Sequence, residues 1–258
     1  RAVFLPAYAV WPRAETLLVG HCFTFWLSIF GVARLAGGAS RSGAEHRPYL
    51  ALLGALAWVT TPAAFVFALN DCRPLQLGVP FLLWAVLGFI ERRPWLFVVS
   101  ALAALACRQE YGVAVAMLAV LPALQPERPA TKWKWRAVSL ALGLGWFAGY
   151  FLYIDQMFGP TSVARYFAVP SSFSRKGWAD VLGGFVVTGG SLAVLTGGWC
   201  LLALRSPRYL LASLPLVTMI VQRNLTRLLP GDAEWHMVRY AAIPVALWTA
   251  GGAVALRR

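Results

Sequence analysis

Apolar residues in this chain come in long blocks, with the polar residues set between them. The blocks are 16–36, 48–69, 75–90, 95–107, 111–124, 137–153, 181–204, 209–221 and 238–256. They predict an all-α fold, a polytopic transmembrane helix bundle of about nine segments. Several segments are short for a full crossing, because a hydrocarbon core of about 30 Å takes about 20 helical residues. The blocks fill most of the chain. The expectation is one integral membrane domain over residues 1–258 and no soluble domain.

One polar interruption stands out. The triplet Arg108-Gln109-Glu110 sits inside an apolar run from Trp95 to Leu124. As a single helix that run would be about 45 Å long, more than a bilayer core accommodates. Either the run folds back at the triplet, or two charges lie at membrane depth. Ionisable groups at that depth are expensive and mark functional cavities.

Composition agrees with the pattern. Hydrophobic residues make up 59% of the chain and charged residues 13%, whereas a soluble domain is about a quarter charged. Twelve Trp and eight Tyr suit two interfacial belts. The net charge is +13, but the basic residues punctuate apolar runs instead of clustering on polar segments. That favours a membrane lipid partner and argues against nucleic acid. Cys22 and Cys200 fall inside apolar segments as small hydrophobes. Cys72 and Cys107 fall at loop edges on one side, and spacing alone leaves their pairing open. No Cys/His cluster has metal-ligand spacing.

The connecting segments alternate between two sides. One set is 37–47, 91–94, 125–136, 205–208 and the C-terminus. It is rich in Arg and Lys and carries only Glu45, Glu91 and Glu127 as acids. By the positive-inside rule this side is cytoplasmic, which predicts a multi-pass protein of the cytoplasmic membrane. The other set is 1–15, 70–74, 108–110, 154–180 and 222–237. It holds seven of the ten acids, yet keeps many arginines that orientation does not explain. An anionic ligand is one cause. Pro62, Pro80 and Pro244 read as kinks within helices. Gly183-Gly184, Gly189-Gly190 and Gly197-Gly198 read as close helix packing.

The candidate chemistry lies on the outer side. Arg108 offers a planar fork suited to phosphate, and Glu110 can orient it or act as a base. Tyr111 can stack or donate from its hydroxyl. Asp71 and Arg73, in the turn 70–73, are predicted at the depth of Arg108. His236 shares a helical face with Arg239 and Tyr240. Each has a plain alternative as a solvated turn or an interfacial belt. His21 reads as a satisfied core histidine.

Four short motifs carry a resemblance. Phe4-Leu5-Pro6-Ala7-Tyr8, then Trp11-Pro12 and Thr16-Leu17-Leu18, looks like the L-P-x-Y…P…T-L-L stretch of a family of uncharacterised prokaryotic polytopic membrane proteins. Asn70-Asp71-Cys72-Arg73 is similar to its D-F-H turn, with Arg73 where the family has histidine. Cys107-Arg108-Gln109-Glu110 looks like its R-E-D/E motif, and His236 to Pro244 resembles its closing H…Y…P segment. That family distantly resembles the GT-C glycosyltransferases, which take a sugar from a polyprenyl-phosphate donor outside the cytoplasmic membrane.

The resemblance implies a GT-C-like bundle acting on a lipid-linked sugar. Its catalytic acid is expected in a first outer loop upstream of residue 1, the chain reading as a fragment that starts at Arg1. The substrate-binding set would be Asp71, Arg73, Arg108, Glu110, Tyr111, His236, Arg239 and Tyr240. No cofactor is assigned; a divalent metal is compatible with such chemistry but unsupported by the sequence. Two other readings stay open: a transporter or flippase for an anionic lipid or solute, and a non-catalytic membrane assembly subunit.

The charge pattern makes a topological prediction. Reporter fusions within 125–136 and at the C-terminus should both report the cytoplasmic side. Reporters on opposite sides would reject the nine-segment arrangement.

Overall fold

The computed structural model describes residues 9, 12, 14–38, 47–69, 74–119, 132–159, 178–226 and 230–256. Among them are eleven helices. They are α1 (Ala14–Gly37), α2 (Arg47–Val59), α3 (Pro62–Leu69), α4 (Pro74–Glu91), α5 (Pro94–Cys107) and α6 (Tyr111–Met117). The rest are α7 (Lys132–Phe158), α8 (Trp178–Thr196), α9 (Gly198–Leu204), α10 (Pro207–Thr226) and α11 (Pro230–Ala255). The fold is all-α. Side chains of 222–226 and 230–240 lie outside the description.

The polarity of α1 is inverted relative to a helix in water. Val19, Phe23, Trp26 and Phe30 follow one another at helical spacing, and all are more than half exposed. The opposite stripe, His21, Thr24 and Ser28, is buried with Val32 and Leu35. In water such an apolar face would be an aggregation site; in lipid it is the contact surface. Two helices are long and apolar enough to cross a membrane alone, Glu15–Gly37 and Trp133–Ile154, and counting two bent pairs as single spans makes four. Shorter apolar helices run over Gln76–Glu91, Pro94–Cys107, Pro207–Val221 and Ala241–Ala255.

The bent pairs fall where one continuous segment was expected. Segment 48–69 is broken between α2 and α3 by 66°. Thr61 supplies a helix start there: its hydroxyl accepts from the Ala64 amide at 3.2 Å, and Pro62 occupies the first helical position. Pro62 therefore begins a helix instead of kinking one. Segment 181–204 is broken between α8 and α9 by 112°. Gly197 sits at the break with φ of +55°, a conformation that residues with a β-carbon avoid.

Helix ends also extend beyond the apolar blocks. Residues 132–136 and 154–158, expected in loops, belong to α7, and most of 222–237 belongs to α10 and α11. An apolar block marks the depth of the hydrocarbon, whereas the backbone hydrogen-bond ladder continues into the head-group layer.

The core is built around α4 and α11, which pack on each other and on α1. Leu77, Val79, Leu82, Leu83, Val86 and Leu87 of α4 are all buried, as are Ala242, Ile243, Val245, Ala246 and Leu247 of α11. Helices apolar all round belong in the middle of a bundle. Polar groups pin the contacts. Trp84 Nε1 donates to the Leu27 carbonyl at 2.9 Å, tying α4 to α1. Trp58 Nε1 donates to Ser28 Oγ at 3.0 Å, which donates to the Phe25 carbonyl. The same relay ties α11 to α10: Trp248 Nε1 donates to Ser213 Oγ at 2.8 Å, which donates to the Leu210 carbonyl.

Close backbone contact occurs at glycines other than those expected. Around Gly183, Gly189, Gly190, Gly197 and Gly198 a β-carbon would meet open space. The tight crossing is α6 on α7. A β-carbon at Gly143 would fall on the Gly112 carbonyl and the Ala116 amide. Ser139 donates to the Val115 carbonyl and Arg136 Nε to the Ala119 carbonyl at 2.9 Å, so these two helices run antiparallel.

Gly143→Ala should therefore lower stability by about 1–3 kcal/mol, because backbone cannot move aside cheaply. Gly149→Ala, on the same helix with nothing within reach of its β-carbon, should be neutral or stabilising. Thermal unfolding in detergent checks the pair, and equal midpoints would reject the crossing.

Candidate functional site

The run from Trp95 to Leu124 is divided at the triplet. α5 ends at Cys107 because Arg108 takes extended dihedrals, φ −166° and ψ 149°. The chain turns through Gln109 and Glu110, with Tyr111 N–H donating to the Arg108 carbonyl at 3.2 Å and Gly112 N–H to Gln109 at 2.9 Å. α6 then starts at Tyr111. Its helical part stops at Met117, short of the expected 124, and residues from 120 lie outside the description.

This turn brings three expected site residues together. Glu110 stands at the N-cap of α6, yet its side chain makes no capping bond. It faces Arg108 instead, with Oε2 at 2.9 Å from Nε. The carboxylate side chain is 3% exposed and the arginine side chain 26%. The acid is thus enclosed by protein while the cation reaches the surface. Burying a carboxylate without a cation would be severely unfavourable, so the pair holds both groups in place. Tyr111 is fully buried, and its ring lies over Gly78 of α4 so closely that a β-carbon there would overlap it.

The remaining expected residues are placed less fully. Asp71, Cys72 and Arg73 lie outside the described residues. His236, Arg239 and Tyr240 lie on α11, with side chains outside the description. Cys107 is buried at the end of α5.

A second polar group was not expected. His21 is 8% exposed and Gln76 5%, and they line a space of about 10 Å³ between α1 and α4, beside Thr24 and Ser28. Both ring nitrogens of His21 and Oε1 of Gln76 lack hydrogen-bond partners among the described residues. His21 is therefore not the satisfied core histidine of the sequence reading. The space is about that of one water molecule, which could join these groups. Gln76 is two residues from Gly78, so this cluster and Tyr111 meet the same end of α4. Among the described residues no three His, Cys, Asp or Glu side chains gather as a metal site.

The inverted polarity of α1 and the buried ion pair describe a membrane protein with an internal polar site. A family model described as Predicted membrane protein (DUF2079) matches residues 2–231. The chain belongs to the DUF2079 family. Comparison with curated proteins and with solved structures finds no match. The DUF2079 match covers the triplet and the His21–Gln76 cluster, and stops before His236.

The ion pair predicts strong coupling in this DUF2079 chain. Arg108→Ala should cost about 1–3 kcal/mol of stability, less than for a fully enclosed pair because the arginine is partly solvated. Adding Glu110→Gln should recover much of the loss, since no buried charge is then stranded. Additive losses in the double-mutant cycle would show that the two groups do not depend on each other.

Proposed function

We propose that the chain handles a lipid-linked phosphate at Arg108 on the outer side of the cytoplasmic membrane, as a GT-C-like glycosyltransferase using a polyprenyl-phosphate-linked sugar. The observation that supports this is the ion pair. An enclosed carboxylate fixes a guanidinium that remains partly exposed, so a cation is pre-oriented without being closed off. The site belongs in a bundle of about nine membrane segments with a cytoplasmic C-terminus. The short apolar helices α4, α5, α10 and α11, with the segment 111–124 that α6 opens, would supply the crossings that length alone does not count.

In this reading an acceptor hydroxyl attacks the anomeric carbon. Its oxygen forms the new bond, and the bond to phosphate breaks with its electron pair leaving on polyprenyl phosphate. A carboxylate acting as general base takes the acceptor proton. Arg108 and Arg239 neutralise the departing phosphate, and Glu110 positions Arg108. Asp71, Arg73, Tyr111, His236 and Tyr240 complete the substrate site. A flippase for the same kind of lipid is the second reading. The two sharply broken helix pairs favour it, because transporters set binding sites at discontinuous helices. Release of sugar onto an acceptor, against movement of intact lipid across vesicles, separates the two.

Arg108→Ala should weaken polyprenyl phosphate binding by about 1.5–3 kcal/mol, the scale of a hydrogen bond to a charged group. Arg108→Lys should restore it only in part, because a point charge lacks the fork. Arg205→Ala, at the exposed turn after α9, should change little. Binding to the folded proteins by native mass spectrometry is the measurement. Equal affinity of wild type and Arg108→Ala would end the proposal.

A further inference from the structure

A second basic site lies at the opposite end of α4 from Tyr111. There α1 ends beside the turn that joins α4 to α5. Arg34 Nε is 3.9 Å from one oxygen of Glu91, and Arg93 Nε is 3.1 Å from the other. The two arginine side chains are 53% and 58% exposed, while Glu91 is largely buried at 16%. Among the described residues the Glu91 carboxylate thus meets two guanidinium groups. Arg92 adds a third cation in the same turn, with φ of 59°. It occupies the left-handed position that ends a helix, and Arg93 N–H bonds back to the Gly88 carbonyl at 2.9 Å. Glycine is the usual residue there, so an arginine is held against a local preference. Such strain points to a site.

Below these cations the surface is hollow and apolar. An open groove of about 960 Å³ runs between α1, α2 and α4, lined by Leu27, Phe30, Trp84 and Ile90 together with Arg34, Glu91 and Arg93. That is the size of a site for a small organic molecule. Its depth in the membrane follows from the neighbouring aromatics. Tyr49, Trp95 and Trp133 are exposed near the starts of α2, α5 and α7. Those starts gather at this end: Pro48 lines the same cavity, and Phe97 stacks edge-on against Phe89 at 5.5 Å and Trp135 at 5.9 Å. Exposed Trp and Tyr at one level mark the head-group layer. The arginines then stand among head groups, and the apolar cavity reaches into the acyl chains.

We infer that this groove binds an anionic phospholipid of the surrounding membrane. Its phosphate sits against Arg93 and Arg34, and an acyl chain lies along Leu27, Phe30 and Trp84. Basic pockets between membrane helices recognise anionic head groups in this way. A free phosphate would leave the apolar wall uncovered. A zwitterionic lipid would bring its own cation against the arginines. Trp84 is fixed in place, because its indole N–H is bonded to the Leu27 carbonyl, and its side chain lines the groove. The site is separate from Arg108, so the two proposals stand or fall apart.

The test is lipid binding to the delipidated full chain by native mass spectrometry, with phosphatidylglycerol, phosphatidylcholine and inorganic phosphate as probes. Phosphatidylglycerol should bind more tightly than phosphatidylcholine, and inorganic phosphate at equal concentration should not displace it. Arg34→Ala with Arg93→Ala should weaken phosphatidylglycerol binding by about fivefold per arginine. Glu91→Gln should tighten it, since the competing carboxylate charge is gone, and a misfolded protein would not show such a gain. Arg205→Ala should bind as wild type does. Equal affinity for the two lipids, displacement by phosphate, an unchanged double variant, or weaker binding by Glu91→Gln would each overturn the inference.

Discussion

Helices in hydrocarbon gain little by hiding apolar side chains from one another, because lipid is as apolar as leucine. This bundle therefore depends on how closely its backbones approach. Gly143 against Gly112 is the tightest case, with two helices meeting through main-chain atoms. Gly78 makes room for the Tyr111 ring, and Gly251 and Gly252 of α11 accept Tyr209 and Trp199. Each of these contacts replaces a side chain with a neighbour's bulk. Together they draw the polar turn 108–110, the first turns of α4 and the ends of α9 and α10 into one packed body.

Inside that body polar groups have little water to turn to and rely on protein partners. The molecule solves this locally. Ser28 and Ser213 each pass a tryptophan's hydrogen bond to a carbonyl of their own helix, so an indole is satisfied without a loop or a charge. Glu110 forms an ion pair with a residue two places earlier in the chain, Arg108, which leaves the helix with extended dihedrals. Both ring nitrogens of His21 and Oε1 of Gln76, beside their shared space, have no hydrogen-bond partner among the described residues.

Much of this was legible in the order of residues. Charges inside an apolar run announced the Arg108–Glu110 turn, because any placement of them constrains the fold. The helices themselves were legible, since hydrocarbon leaves the backbone no other way to satisfy its hydrogen bonds. The breaks at Thr61 and Gly197 had local signals, a Thr-Pro helix start and a Gly-Gly pair, that a hydropathy reading passes over. The pairing of His21 with Gln76 had none: they are far apart in the chain and become neighbours only when α1 packs on α4. Arg34 and Arg93 were legible as positive-inside residues, but the groove beneath them depends on three helices meeting.

The burial of α4 has a consequence for how the protein is made. α4 is apolar on every side, yet its neighbours shield it from lipid. One of the main neighbours is α11, the last helix of the described chain. During synthesis α4 must enter the bilayer long before α11 exists and wait in contact with lipid. Packing of α4 against α11 is thus a late event that begins only once α11 has been inserted. Until then the face of α4 that α11 covers is open to any other helix in the same membrane, and that interval is when a helper or a wrong partner can reach it.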